Sequence, residues 1–378
     1  MPLATLRRSL ALSAIAVAVT LASCSSGPSK AELEEARLAE LRAAELAARV
    51  APPISLNDGV AQAASIYVTF IADVGTIRAG FPDAESVQAA MRKGSAYDPA
   101  QLSRGMIAYA SILALQSPEF VAGVRQFGVD PVQRREIIAA IVNDPAYAAV
   151  LPGADAAASV IISTLGTDIN ALTAIADAVE GDAYTIQERN DPRRRWAVLP
   201  IPNRENRLQA VKTISTGQML PSAEASARLF AAANAGTGLS VAPGTARAPY
   251  TPPVVNALAI AALAALGAAG DEARPNTDAL MTESSSQFCL NMSKLNLYQC
   301  LAASRPSYED MFCVGRHVVR DLATCTRGST RPVGTVFTGD PTDTSGRAST
   351  APAAVPTPAI STSTLNQTPV VLVPTPAS

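Results

Sequence analysis

The apolar positions of this chain recur mainly at helical spacing, with little of the alternation that marks a strand. Leu102, Met106, Tyr109 and Leu113 share one helical face. A second stripe at the same spacing predicts one long helix from about Ala154 to Gln187. Its members are Val160, Ile161, Leu165, Ile169, Leu172, Ile175 and Val179. The pattern therefore predicts an all-α fold.

Capping residues in front of prolines divide the central region into short helices. Asp98, Ser117, Asp130 and Asp144 each stand directly before a proline. This arrangement is typical of an N-cap followed by proline at the first helical position. Gly128 is expected to end the helix that begins after Ser117, by taking a left-handed conformation. The region is therefore predicted to be an irregular multi-helix domain.

Further helices are predicted on both sides of this region. A charged helix over Ser29–Val50 lacks a heptad, so we expect a solvated stalk or a helix lying along the body. Pro221–Ala235 also has a helical pattern. Val254–Ala269 is shorter than the roughly twenty residues of a membrane-spanning helix, so a buried core helix is expected. Gly166 and Gly181 are the expected weak points of the long helix.

The N-terminal segment has the parts of a secretory signal. Arg7 and Arg8 form a basic start, and Leu10–Leu21 is an apolar stretch too short to span a bilayer. Leu-Ala-Ser-Cys follows at residues 21–24. These residues resemble the lipobox of bacterial lipoproteins, in which the signal is cut before the cysteine and the cysteine is acylated. The resemblance implies lipidation of Cys24.

The residue after the cysteine bears on location. In the enterobacterial sorting pattern an Asp at this position favours the inner membrane, so Ser25 implies the outer membrane, with the protein anchored in the periplasmic leaflet. Two alternatives stay open. One is an ordinary secretory signal cut at an Ala-x-Ala-like site, and the other is a chance cysteine near the terminus.

Charge excludes one class of partner. The chain has 30 basic and 32 acidic residues, a net charge of −2. Removal of the signal takes away Arg7 and Arg8, which leaves 28 bases against 32 acids, a net of −4. So small a balance gives no field for binding nucleic acid.

One basic cluster stands out between Asn190 and about Ile214, around the sole tryptophan, Trp196, with Arg193, Arg194 and Arg195 as its densest part. Its other members are Arg204, Arg207 and Lys212. Two interpretations stay open. The cluster is either a patch for anionic lipid headgroups or glycan-linked phosphate, or a solvated loop whose arginines pair with nearby acids. Those acids are Glu188, Asp191 and Glu205.

The remaining cysteines, Cys289, Cys300, Cys313 and Cys325, form an even set in a compartment expected to oxidise thiols. Ten residues separate the first two and eleven the last two, each about three helical turns. An antiparallel helical hairpin pairs Cys300 with Cys313 and Cys289 with Cys325. Zinc binding by these thiols and His317 is the alternative, but close Cys-x-x-Cys pairs are absent, so no metal is predicted.

The hairpin helices are predicted over Gln287–Ala303 and Tyr308–Ala323, with two apolar stripes facing each other. These are Phe288, Met292 and Leu295 on the first helix and Val318 and Leu322 on the second. The eleven-residue spacing turns Cys325 about 120° away from Cys313, so the last turn is expected to fray near Thr326 and Gly328. The layout resembles the twin-cysteine CHCH hairpins, which have nine residues between cysteines, and the resemblance implies geometry alone.

The tail is rich in Thr, Pro, Ser and Ala and is predicted to be disordered. The predicted organisation comprises a signal peptide (1–23), a lipidated N-terminus with the charged helix (24–53), a helical domain (54–189), a basic linker with further helices (190–284), the four-cysteine hairpin (285–327) and the tail (328–378).

Few residues carry recognisable catalytic chemistry. His317 is the only histidine, which removes most histidine-dependent catalytic plans. Glu85-Ser86 and Glu283-Ser284 resemble the Glu-Ser pair of lytic transglycosylases, but the Gly-Leu-Met-Gln segment of those enzymes is absent. The sequence therefore favours a protein without catalysis and without a cofactor, and leaves an unrecognised enzyme open.

The sequence as a whole favours a lipid-anchored, periplasm-facing envelope protein with a structural or adaptor role. Its expected partners are the membrane, through the anchor, and an envelope protein or peptidoglycan. Two other functions stay open. One is a peptidoglycan hydrolase with an unrecognised pair of carboxylates, and the other is a carrier of a lipid or small ligand.

Overall fold

The computed structural model describes residues 29–48, 50–188 and 192–331. The lipobox with Cys24, and the tail from residue 332, lie outside the described residues. Within these ranges the structure is all-α, as predicted: it has fifteen α-helices, four short 3-10 helices and one π-helical segment. Extended backbone pairs there only at two isolated bridges, Leu56 with Ala269 and Pro200 with Pro306.

Most helices follow one another through short connections, and the longest connection within the described ranges, residues 236–251, precedes the helix that begins at Pro252. Those of the first part are α1 Lys30–Ala48, α2 Asp58–Val74, α3 Ala84–Ser95, α4 Pro99–Ala114, α5 Pro118–Arg125, α6 Pro131–Asn143 and α7 Ala154–Glu188. Those of the second part are α8 Arg195–Val198, α9 Arg204–Ile214, α10 Ala223–Ala235, α11 Pro252–Ala265, α12 Arg274–Leu280, α13 Ser284–Ala303, α14 Ser307–Cys313 and α15 Asp321–Thr330. The π segment, Val314–Arg320, joins α14 to α15.

The four predicted N-caps are confirmed. The Asp98 carboxylate accepts from the amide of Gln101 at 2.8 Å, and Asp130 caps α6 in the same way. Ser117 caps α5, and Asp144 caps the 3-10 helix Pro145–Val150. In each case the side chain satisfies amide groups that the first turn leaves without a partner.

The prediction for Gly128 is wrong. Gly128 ends a right-handed 3-10 turn, Gln126–Gly128, that continues α5. It is buried, and a Cβ there would lie 3.3 Å from the Cβ of Ala51. The glycine therefore permits close packing of the chain before α2, and no left-handed residue is needed.

A helix with almost no solvent contact lies at the centre of the fold. Most of α11 is fully buried, which confirms the core helix predicted from its Ala/Leu run. Nearby, α2 and α4 pack closely because Gly105 has no side chain: a Cβ there would lie 2.6 Å from the carbonyl oxygen of Ala63. One continuous hydrophobic core joins these helices to α7, α13 and α15.

The long helix is confirmed as α7, which runs without a break through Gly166 and Gly181. By length and composition alone, this helix could cross a membrane. Its stripe from Ile161 to Val179 is instead buried against α4 and α15. Its other side carries acids such as Asp177, which pairs with Arg320 of the π segment. This packing is that of a core helix.

The charged N-terminal helix, α1, stands apart from this core. Every side chain of α1 whose burial is described is exposed, including Leu33, Leu38 and Leu41. Ser29 caps it as predicted: its hydroxyl accepts from the amide of Glu32 at 3.3 Å, and Glu32 accepts from the amide of Ser29 at 2.7 Å. Of the two arrangements left open by the sequence, the structure has the solvated one.

Candidate functional site

The C-terminal hairpin is held by both predicted disulfides. Cys289 pairs with Cys325 at a Cα–Cα distance of 5.6 Å, and Cys300 pairs with Cys313 at 5.8 Å. The bonds lie near the two ends of α13 and fix it to the elements that follow. Because α13 also packs on α4 and α9, the hairpin is a rigid part of the core and not an appendage.

The second half of the hairpin reaches the right register by a π-helical segment, not by fraying. The extra residue between Cys313 and Cys325 would rotate Cys325 out of line in a continuous α-helix. The wider turns of Val314–Arg320 absorb about one residue, so Cys325 returns to the face of Cys313. The helix then continues to Thr330, and the predicted fraying near Thr326 is wrong.

The predicted orientation of α13 is also wrong. Phe288, Met292 and Leu295 do not face the second half of the hairpin: their exposed fractions are 66%, 39% and 45%. The buried side of α13 is instead formed by Leu290, Ser293, Lys294, Leu297 and Leu301. The disulfides and the core contacts together fix this orientation, which leaves an apolar stripe at positions i, i+4 and i+7 in water. We call this stripe the α13 face.

No exposed residue of α13 next to the α13 face is charged. Lys294 is the single charged residue among the twenty of α13, and it is buried. The exposed polar neighbours of the stripe on α13 are Ser284, Ser285, Asn291 and Gln299. Beyond this helix, Lys212 of α9 lies 5.9 Å from the centre of the Tyr298 ring, one turn after Leu295, so the rim includes a charge. Apolar side chains at the centre of a polar rim are typical of a protein–protein interface, since charge is depleted at interface cores.

Lys294 lies on the buried side of α13 and holds the helix against neighbouring segments. Its Nζ donates to the carbonyl groups of Tyr97 and Ser215 and lies 4.5 Å from the centre of the Tyr97 ring. Burial lowers the pKa of Lys294 to about 8, and the nearby Asp98 opposes this shift. One side chain thus joins α13 to the connection before α4 and to the end of α9.

A buried ion pair anchors the turn of the hairpin. Arg207 of α9 donates to the carboxylate of Asp310 and, at 2.6 Å, to the carbonyl of Leu301. Asp310 also accepts from Gln88 and from Ser304, each at 2.7 Å. Sequence reasoning placed Arg207 only in a basic surface region, because the partner lies 103 residues away.

Two residues of the predicted basic cluster, Arg194 and Trp196, contribute to the packing of the fold. Arg194 forms an ion pair with Asp182 of α7, at side-chain exposures of 22% and 16%. Trp196 is half-buried and packs against the core. Arg193 and Arg195 are exposed. The four residues are therefore brought to one surface, but Arg194 and Trp196 contribute mainly to packing there.

The neighbouring arginine of the cluster has a structural role as well. Arg204 donates to the carbonyl groups of Ala302 and Ser304 at the end of α13. Asp191, one of the acids considered as a partner for the cluster, lies outside the described residues. Asp182, which pairs with Arg194, lies twelve residues before it on α7.

The two Glu-Ser dipeptides have structural roles. Glu85 forms an exposed ion pair with Arg92 at 2.6 Å. Glu283 caps α13, where its carboxylate accepts from the amides and hydroxyls of Ser285 and Ser286. These hydrogen bonds outweigh the effect of burial and lower the pKa of Glu283, so it is suited to remain a carboxylate and not to act as an acid at neutral pH.

The remaining candidates for chemistry are sparse. His317 lies 3.1 Å from the carboxylate of Asp321, and among the described residues no group of three His, Cys, Asp or Glu could hold a metal ion. The two interior cavities beside Met106 each measure about 10 Å³, room for about one water molecule. Neither could enclose a lipid or a drug-sized ligand, which needs at least about 300 Å³.

Comparison with protein-family models, curated proteins and solved structures found no match to this chain.

Proposed function

We propose that this chain is a lipid-anchored, periplasm-facing protein of the bacterial outer membrane with a structural or adaptor role and no catalysis. The resemblance of residues 21–24 to a lipobox supports the location, and so do the two disulfides, because such bonds persist in oxidising compartments. In this proposal, acyl chains on Cys24 hold the helical body at the membrane surface, since each buried methylene contributes about 0.8 kcal/mol.

The α13 face carries the adaptor role. It presents Phe288, Met292 and Leu295 to solvent on a helix that two disulfides hold in place. A rigid surface loses little conformational entropy when a partner binds, which favours affinity.

The location is tested by changing the cysteine of the lipobox. Cys24→Ser should abolish labelling by radioactive palmitate and move the protein from the membrane fraction to the soluble periplasmic fraction. Ser25→Ala, one residue away, should leave labelling and membrane association intact. An unchanged membrane fraction for Cys24→Ser would refute the anchor.

The adaptor role is tested by site-specific crosslinking in cells. A photoreactive amino acid at Leu295 should give discrete adducts after illumination, because the side chain lies in the α13 face. The same amino acid at Val150, a position 75% exposed and far along the chain, is the matched control. If Leu295 gives no more adducts than Val150, the α13 face is not an interaction surface and the adaptor role fails.

A further inference from the structure

We infer that the α13 face binds the α13 face of a second copy of this chain, with the two helices antiparallel across a two-fold axis. The inference deepens the proposed adaptor role, since it names the partner of the same surface, and it rests on that role for the use of the surface. It is independent of the lipid anchor.

The first argument is the charge of the surface. A face that meets its own copy places each charge near an identical charge, which is unfavourable. The exposed positions of α13 avoid this cost, because the helix has no charged residue except the buried Lys294. At the chain's average of 16% charged residues, a helix of twenty residues would carry about three charges. Helix α13 carries one, and it is buried, so the exposed surface of the helix fits a self-complementary contact.

The second argument is the spacing of the stripe. In an antiparallel pair related by a two-fold axis, residue i contacts residue j and j contacts i. Reversal about the midpoint between Asn291 and Met292 exchanges Phe288 with Leu295, so Phe288 meets Leu295 of the second copy. The same reversal carries Met292 onto the position of Asn291, so the two copies of Met292 lie near the axis, offset along it by about 1.5 Å, the rise of one residue. The three apolar side chains therefore meet mainly one another, and Asn291 lies at the edge of the contact.

The third argument is rigidity. Disulfides at Cys289 and Cys300 hold the helix on both sides of Met292, and Lys294 fixes the underside of the same turn. A single pair of helices buries a small area compared with the standard size of about 1,600 Å², so the contact is weak in dilute solution. Tethering of both copies to one surface would raise their effective concentration.

The first test uses a cysteine near the axis in the full chain. Helices packed 8–10 Å apart bring facing Cα atoms to about 4–6 Å, which is within reach of a disulfide. Met292→Cys should therefore give a dimer of about twice the chain mass on a non-reducing gel of cell envelopes, and reductant should remove it. Val150→Cys, an exposed position off the α13 face, should stay monomeric. Absence of the Met292→Cys dimer, or equal dimer from both variants, would overturn the inference.

The second test determines which residues of the two helices face each other, and it uses protein without the lipid anchor. In sedimentation of the mature chain bearing Cys24→Ser, the mass should rise towards a dimer with concentration. Phe288→Lys and Leu295→Glu should each weaken association at least tenfold. An equal mixture of the two variants should recover association, because the introduced ammonium group of one copy then faces the introduced carboxylate of the other.

A monomer at all concentrations, or a dimer that neither variant weakens, overturns the inference, and failure of the mixture overturns the antiparallel register. Circular dichroism and intact disulfides in both variants exclude misfolding as the cause. Membrane release of Cys24→Ser, by contrast, bears only on the anchor. A photoadduct from Leu295 with a different protein but none with a second copy would keep the adaptor role and overturn the dimer.

Discussion

Arg207 of α9 and Asp310 of α14 form an ion pair closed off from solvent, with side-chain exposures of 5% and 0%. The pair fixes the turn of the disulfide-linked hairpin to a helix from a distant part of the chain. Asp310 also accepts hydrogen bonds from Gln88 and from Ser304, so its carboxylate is well supplied with donors. The hairpin is therefore held in place by electrostatics at its turn as well as by its two disulfides.

Loss of one partner of this pair should destabilise the protein strongly. Arg207→Leu leaves the Asp310 carboxylate buried without its counter-charge, which should lower the free energy of unfolding by about 3–5 kcal/mol. Arg195→Leu, an exposed arginine nearby, should change it by no more than about 0.5 kcal/mol. Urea unfolding followed by circular dichroism measures both. A loss below about 1 kcal/mol for Arg207→Leu would show that the pair contributes little beyond packing.

The π segment should tolerate removal of one residue but not addition of one. Deletion of Arg316, which is half exposed, lets Cys313 and Cys325 share a face of a continuous α-helix. Both disulfides should still form. Insertion of an alanine after Arg316 adds about 100° of rotation and should prevent the Cys289–Cys325 bond. Mass spectrometry of non-reduced peptides reads the pairing, and a deletion variant with free thiols would contradict this account.

Lys294 should make the stability depend on pH on the alkaline side. Its pKa is lowered to about 8 in the folded protein, below the 10.5 of an unperturbed lysine. Below pH 8 both states are protonated and the cost of burying the charge is constant. Above pH 8 the unfolded state binds more protons, so this group makes stability rise with pH, by at most about 1.4 kcal/mol per pH unit, until about pH 10.5.

The measurement compares the wild-type chain with Lys294→Met, which keeps the long side chain and removes the titration. The difference in free energy of unfolding, wild type minus variant, should grow between about pH 7.5 and about pH 9.5. A difference that is flat over this range would mean that Lys294 titrates at its ordinary pKa in the folded protein.

Two glycines in helices should respond in opposite ways to alanine. Gly105→Ala places a Cβ against the carbonyl of Ala63, and the strain should cost about 1–3 kcal/mol. Gly166→Ala meets nothing within 4 Å, so the better helix propensity should stabilise the protein by about 0.5–1 kcal/mol. Thermal unfolding should show a lower Tm for the first and a higher Tm for the second. The same sign for both would contradict the packing described for α2 and α4.

Local signals in the sequence determined the helical class of the fold and the starting points of several helices. A capping carboxylate or hydroxyl before proline acts within three residues, so Asp98, Ser117, Asp130 and Asp144 could be interpreted without any tertiary structure. The pairing of the cysteines also followed from the sequence, because helical spacing and an antiparallel turn leave one arrangement with short connections.

Tertiary packing decided which face of each helix is buried and which polar residues are used inside. The sequence of α13 did not show whether its apolar stripe faces the core or the solvent. Charged residues usually mark the solvent side of a helix, and the one charged residue of α13 is Lys294. That charge is buried on carbonyl groups from two distant segments, which no local pattern indicates. Periodicity reports the spacing of side chains along one helix, whereas orientation depends on contacts between residues far apart in sequence, and only the folded chain brings those together.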